Sequence, residues 1–70
     1  MDEILIYDPK SDIELQLIHK KGCECEYQIN IIHKDKIIEC ISCMNDYGAH
    51  KMFIQLQIDY FDKVYFDNIK

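Results

Sequence analysis

Cys23-x-Cys25 and Cys40-x-x-Cys43, with His19 and His50 nearby in the chain, are the residues whose types and spacing point most directly to chemistry. Two short thiol pairs about fifteen residues apart resemble the ligand spacing of a zinc ribbon, in which four soft donors surround one tetrahedral ion. Cys40-Ile41-Ser42-Cys43 also fits the C-x-x-C redox pattern. That chemistry relies on a helix N-terminus to lower the thiol pKa, and this copy falls within a strand pattern. His19 beside Cys23 provides a thiol and a base without an evident third member, so a Cys-His hydrolase lacks its orienting group. Ser11 in a turn and Ser42 in a core pattern offer no serine triad.

The elements that would position these groups follow from periodicity. Ile4 and Ile6 alternate with Leu5 and Tyr7 over Glu3 to Tyr7, and Asp8-Pro9-Lys10-Ser11 reads as a turn. Asp12 to His19 is a second strand with Ile13, Leu15 and Leu17 on one face. Pairing Asp8 with Ser11 sets Ile6 opposite Ile13 and Ile4 opposite Leu15. Lys20-Lys21-Gly22 reads as a three-residue hairpin loop with Gly22 at its left-handed position, which places His19 opposite Cys23, Leu17 opposite Cys25 and Leu15 opposite Tyr27. A third strand ends near His33, and Lys34-Asp35 returns the chain so that Ile31 faces Ile38, Ile29 faces Cys40, Tyr27 faces Ser42 and Cys25 faces Met44.

Beyond a loop at Asp46-Tyr47-Gly48-Ala49-His50, in which Gly48 would supply a positive φ, the alternating segment Met52 to Ile58 reads as a fifth strand. Asp59 to Lys70 fits either a sixth strand, from its β-branched and aromatic content, or a short helix capped by Asp59. The expected fold is therefore mainly β: an antiparallel meander of five to six strands forming a curled sheet or small barrel. The alternative is a five-strand antiparallel sheet covered by a C-terminal helix, an α+β arrangement. The whole chain, 1–70, reads as a single small domain.

This register weakens the metal reading. Cys25 and Cys40 would lie four residues apart along the strands, about 13 Å at ~3.3 Å per residue, whereas zinc ligands all sit within about 2.3 Å of the metal. The set that remains is His19, Cys23, Cys43 and His50 at one end of the meander, with Cys23 and Cys43 on opposite faces. The competing expectation is that the cysteines are structural and that no cofactor is bound, with Cys25 and Cys40 as small buried hydrophobes.

Charge suggests a different function. Asp and Glu number 13 against 8 Lys with no Arg, for a formal charge of -5. This disfavours direct nucleic-acid binding, which needs a basic patch, and favours a protein partner with a basic surface. No apolar run reaches the ~20 residues that span a bilayer, and the N-terminus lacks a signal-peptide pattern, so the expected location is cytoplasmic, without membrane contact. Heavy use of Ile, Lys, Asp and Tyr is the profile of an AT-rich genome, as in some bacteria and phages.

In the expected register the second sheet face reads Asp12, Asn30, Glu39, Gln57, then Glu14, Gln28, Ile41, Gln55, then Gln16, Glu26, Cys43, Phe53, with lysines confined to the rims. An acidic docking face of this kind suits a small stoichiometric inhibitor, of the size and charge of immunity or anti-defence proteins. Its expected contacts are Glu14, Glu26, Glu39 and Gln55 on the sheet, with Tyr47 and His50 from the loop. A zinc or redox module is one alternative, and a subunit of a homo-oligomer, such as a homodimer, or a small-ligand-binding barrel is another.

Overall fold

A computed structural model describes residues 2–22 and 26–66. Four antiparallel strands, β1 (Asp2–Asp8), β2 (Ile13–His19), β3 (Tyr27–His33) and β4 (Lys36–Cys43), form an open meander in the order β1-β2-β3-β4, and helix α1 (Asp46–Phe61) lies across one face. The expectation of five to six strands, curled or closed into a barrel, is corrected to four strands in an open sheet. The sheet-plus-helix alternative fits, with the helix beginning earlier than Asp59.

The segment Met52–Ile58 is helical because two periodicities coexist in it. Ile54, Leu56 and Ile58 alternate, but Ala49, Phe53, Leu56, Gln57 and Phe61 recur at helical spacing and are the buried ones. Local signals agree: the Asn45 side chain caps the first turn by accepting from Gly48 N at 2.7 Å, and Asp46 sits favourably at the positive end of the helix dipole. At the other end Asp62 adopts φ 64° and its N–H closes on Ile58 O at 3.2 Å. Gly48 is therefore helical, and its expected positive φ is not seen.

Leu15, Leu17, Ile29 and Ile31 of the central strands meet Ala49, Phe53, Leu56 and Phe61 of α1 in one core. The strand pairings differ from the expected ones by even steps on the N-terminal side, which preserves the faces. Ile6 faces Leu15 and Ile4 faces Leu17, a shift of two, because the β1–β2 connection spans residues 9–12 with Asp12 N donating to Asp8 O at 2.9 Å. His19 faces Tyr27 and Leu17 faces Ile29, a shift of four. The expected partners Cys23 and Cys25 lie outside the described residues. Gly22 takes the expected left-handed backbone at φ 84°.

The β3–β4 turn at Lys34-Asp35 has positive φ at both corners, 51° and 65°, the signature of a two-residue type I′ turn whose twist matches the hairpin. Ile32 pairs with Ile37 in the expected register, and then a bulge at Ile38 moves Glu39 opposite Ile31, Cys40 opposite Asn30 and Ile41 opposite Ile29. This single extra residue turns Ile41 and Cys43 toward the helix and Cys40 and Ser42 away from it. The energetic sense is clear: Ile41 is placed over the core while the serine hydroxyl reaches water.

Candidate functional site

The sheet face opposite α1 is covered by no other element among the described residues. Its cross-strand rows are Glu3, Ile18, Gln28, Ser42; then Leu5, Gln16, Asn30, Cys40; then Tyr7, Glu14, Ile32, Ile37. These replace the expected rows, in which Gln55, Gln57 and Phe53 stood on a fifth strand and β4 had the opposite facing.

A directed hydrogen-bond chain crosses the middle of this face. The Lys20 ammonium donates to Gln28 Oε1 at 2.5 Å, Gln28 Nε2 donates to Asn30 Oδ1 at 3.0 Å, and Asn30 Nδ2 donates to Gln16 Oε1 at 2.9 Å. Gln16 Nε2 in turn donates to Glu3 Oε2. Each amide accepts from the cationic side and donates toward the carboxylate, so the bonds polarise one another in a single direction. Asn30 is 4% exposed although it belongs to the open face, because its neighbours close over it.

Beside this polar band lies an apolar end. Leu5 is 54% and Ile37 60% exposed, Tyr7 is half exposed, and Ile32 completes the row around Glu14. The Tyr7 hydroxyl donates to Asp12 Oδ1 at 2.9 Å. That bond, with the nearby carboxylates of Asp12, Glu14 and Asp8, raises the phenol above its ordinary pKa and keeps it a neutral donor.

The six expected contact residues do not share one surface. Glu14 stands on the open face. Glu39, opposite the buried Ile31, projects on the helix side of the edge strand, where the bulge has put it. Glu26 lies before β3 with Oε2 3.9 Å from His19 Nε2. Gln55 is on α1 and donates to Asp59 Oδ1 at 2.9 Å. Tyr47 and His50 belong to the first turns of α1 rather than to a loop, and with Asp46 and Lys51 they line a shallow depression of about 370 Å³.

Of the candidate zinc ligands, His19 and Cys43 fall in one cross-strand row on either side of Tyr27, and His50 lies near the start of α1. His19 stacks on Tyr27 with ring centroids 4.4 Å apart at the end of β2, Cys43 ends β4 on the helix side, His50 is helical, and Cys23 lies outside the described residues. Cys40 and Cys43 project to opposite faces of β4, and Cys40 is exposed rather than the buried hydrophobe expected. Among the described residues no group of three or more His, Cys, Asp and Glu side chains is arranged to hold a metal ion. No helix of the described residues is long and apolar enough to cross a membrane.

Three polar residues with structural weight escaped the sequence reading: Asp8, Gln57 and Tyr65. Gln57 is fully buried, and both ends of its amide are used. Oε1 accepts from Tyr65 N at 2.8 Å and Phe66 N at 2.9 Å, while Nε2 donates to Phe66 O at 2.7 Å and Phe53 O at 3.3 Å. The spacing Phe53, Gln57, Phe61 was the available signal, once the segment is read at helical period. Compared with protein-family models, curated proteins and solved structures, the chain shows no match.

Proposed function

We propose that this protein is a small stoichiometric protein-binding module that docks through its open sheet face onto a cationic surface of another protein. The observation that carries the reading is that face: Leu5, Tyr7 and Ile37 are exposed on it beside a polar band whose amides are already satisfied by one another. Apolar side chains supply contact area, and the pre-paired amides require little reorganisation on binding. Glu3 and Glu14 on the face and a formal charge of -5 select a partner of opposite sign.

Size sets the kind of complex. Seven-residue strands at ~3.3 Å per residue, four across at ~4.8 Å, give a face on the order of 450 Å². A standard interface buries about 800 Å² per partner, so this face alone suits a reversible complex whose association is steered by charge. Blocking a basic groove on the partner is the inhibitory action that such docking performs.

The test compares capture from cell extract by the wild-type protein, by Glu14→Lys and Ile37→Glu on the open face, and by Asp46→Lys on the helix. A partner held by wild type and Asp46→Lys, released by either open-face variant and weakened by salt, fits the reading. Retention of that partner by both open-face variants sinks it.

A further inference from the structure

We infer that the Gln57 amide and the Asp8 carboxylate form a recognition site for an extended, tyrosine-bearing peptide segment, and that residues 63–66 of the chain itself fill it as an autoinhibitory strap. Gln57 exchanges two bonds with one residue: Oε1 accepts from Phe66 N at 2.9 Å, and Nε2 donates to Phe66 O at 2.7 Å. A hydrogen-bonded residue pair in an antiparallel sheet makes the same two-point exchange, and here a side chain supplies one half of it. Tyr65 N donates to the same Oε1 at 2.8 Å. All three bonds go to main-chain groups, so they hold an extended backbone without selecting its side chains.

Selection comes from the groups around the amide. Asp8 Oδ1 accepts from the Tyr65 hydroxyl at 2.7 Å, and Phe61 meets the Tyr65 ring at 75° with centroids 5.5 Å apart. Phe66 packs against the core. The segment this site reads is therefore tyrosine followed by a large apolar residue. Asp8 continues the Ile4 and Ile6 face of β1, so the site is on the helix side of the sheet and does not rest on the docking role of the open face.

The strap is lightly attached over a deeply buried site. Gln57 is 0% and Asp8 2% exposed, whereas Val64 and Tyr65 of the strap are 37% and 44% exposed. Among the described residues, no backbone group of residues 63–66 pairs with another backbone group. Asp62, at φ 64°, is the junction with α1, and rotation at this one residue swings the strap away without unwinding the helix. Lifting it leaves the Gln57 amide with Phe53 O and releases Asp8 Oδ1 from Tyr65. A segment of another protein that brings the same main-chain groups and a tyrosine hydroxyl restores every bond lost. The tether gives the strap an effective concentration in the millimolar range, so such a segment binds well only when the strap is loosened.

Fluorescence anisotropy tests this with a labelled, terminally blocked peptide copying residues 63–66, titrated into full-length wild type and into full-length Tyr65→Ala, Phe66→Ala. The expected result is saturable binding to the loosened variant, at least about tenfold tighter than to wild type. Gln57→Leu in the loosened background should abolish binding, and a peptide with phenylalanine in place of its tyrosine should bind about tenfold more weakly. Circular dichroism checks the fold of each variant. Should the loosened variant not fold, Tyr65→Phe replaces it, with binding about threefold tighter than wild type expected from loss of the strap's bond to Asp8. No saturable binding to a folded loosened variant at millimolar peptide overturns the proposal. So do equal affinities for wild type and the loosened variant, peptide retained by folded Gln57→Leu, indifference to the tyrosine hydroxyl, or a signal lost with Ile37→Glu, which would put the peptide on the open sheet face.

Discussion

The hydroxyl of Tyr65 donates to Oδ1 of Asp8 at 2.7 Å, joining the end of β1 to the segment that follows α1 across nearly the whole length of the chain. The other oxygen of Asp8 accepts from Ser11 Oγ at 2.9 Å and Ser11 N at 3.2 Å. A buried carboxylate is thereby satisfied on both sides. The Tyr65 bond, then those from Ser11, hold the Asp8 pKa below its ordinary value of 3.8 against the opposing effect of burial.

Because folding lowers this pKa, the stabilisation by Asp8 is fully present above pH 3.8 and is lost as pH falls through the depressed folded value. Tyr65 has the opposite sign: its phenol is raised above 10.0 by the same bond, so its contribution holds below that pH and disappears in stronger alkali. Thermal melts of wild type, Asp8→Asn and Tyr65→Phe between pH 2 and 7 should show both variants less stable at neutrality. The gap should narrow in acid. A constant gap across the series would mean that the carboxylate is not the group being read.

Gln57 makes a second prediction. Replacing it by Leu keeps the volume but leaves the N–H groups of Tyr65 and Phe66 and the carbonyl of Phe66 without their partner. An unsatisfied buried polar group costs about 1–3 kcal/mol, and partial access to water at this margin places the variant about 2 kcal/mol below wild type. Hydrogen exchange should localise the damage, with the amides of Tyr65 and Phe66 losing protection while those of Leu15 and Ile29 keep it relative to the new global stability.

The bulge at Ile38 makes a third. Ile41 faces Ile29 beneath the helix, whereas Cys40 faces Asn30 on the open side and is exposed. Ile41→Ala should therefore cost about 2 kcal/mol in chemical denaturation, while Cys40→Ala stays within about 0.5 kcal/mol of wild type. In a Cys23→Ser, Cys25→Ser background, a maleimide should modify Cys40 faster than the half-buried Cys43. The bulge-free register would reverse both orders.

Much of the sheet could be read directly from residue order. Alternation located four strands, Lys34-Asp35 and Gly22 located turns, and the apolar faces of β1, β2 and β3 emerged correctly even where pairing was displaced, because each displacement was even. The turns themselves were the weak point: the side chain of Asp8, capping residues 9–12, lengthens the first connection beyond the two-residue form that the sequence pattern favoured. The candidate contacts were less legible. Glu14 kept its face, but Glu39 changed sides with one bulged residue, and Gln55, Tyr47 and His50 moved onto a helix.

What the sequence alone determined, then, is a meander of amphipathic strands with one apolar face and an acidic balance. Only tertiary structure decided what covers that face. Residues 46–61 satisfy a two-residue and a 3.6-residue period at once, and Leu56 is apolar-facing in either. Packing of Phe53, Leu56 and Phe61 onto Leu15 and Ile29, with Asn45 capping the entry, selects the helix over the strand. Once the helix lies across the sheet, Gln57 is buried and Ile54 and Ile58 turn outward, and β4 takes its bulge so that Ile41 lies over the core. These placements depend on contacts between residues far apart in the chain, which local periodicity does not encode.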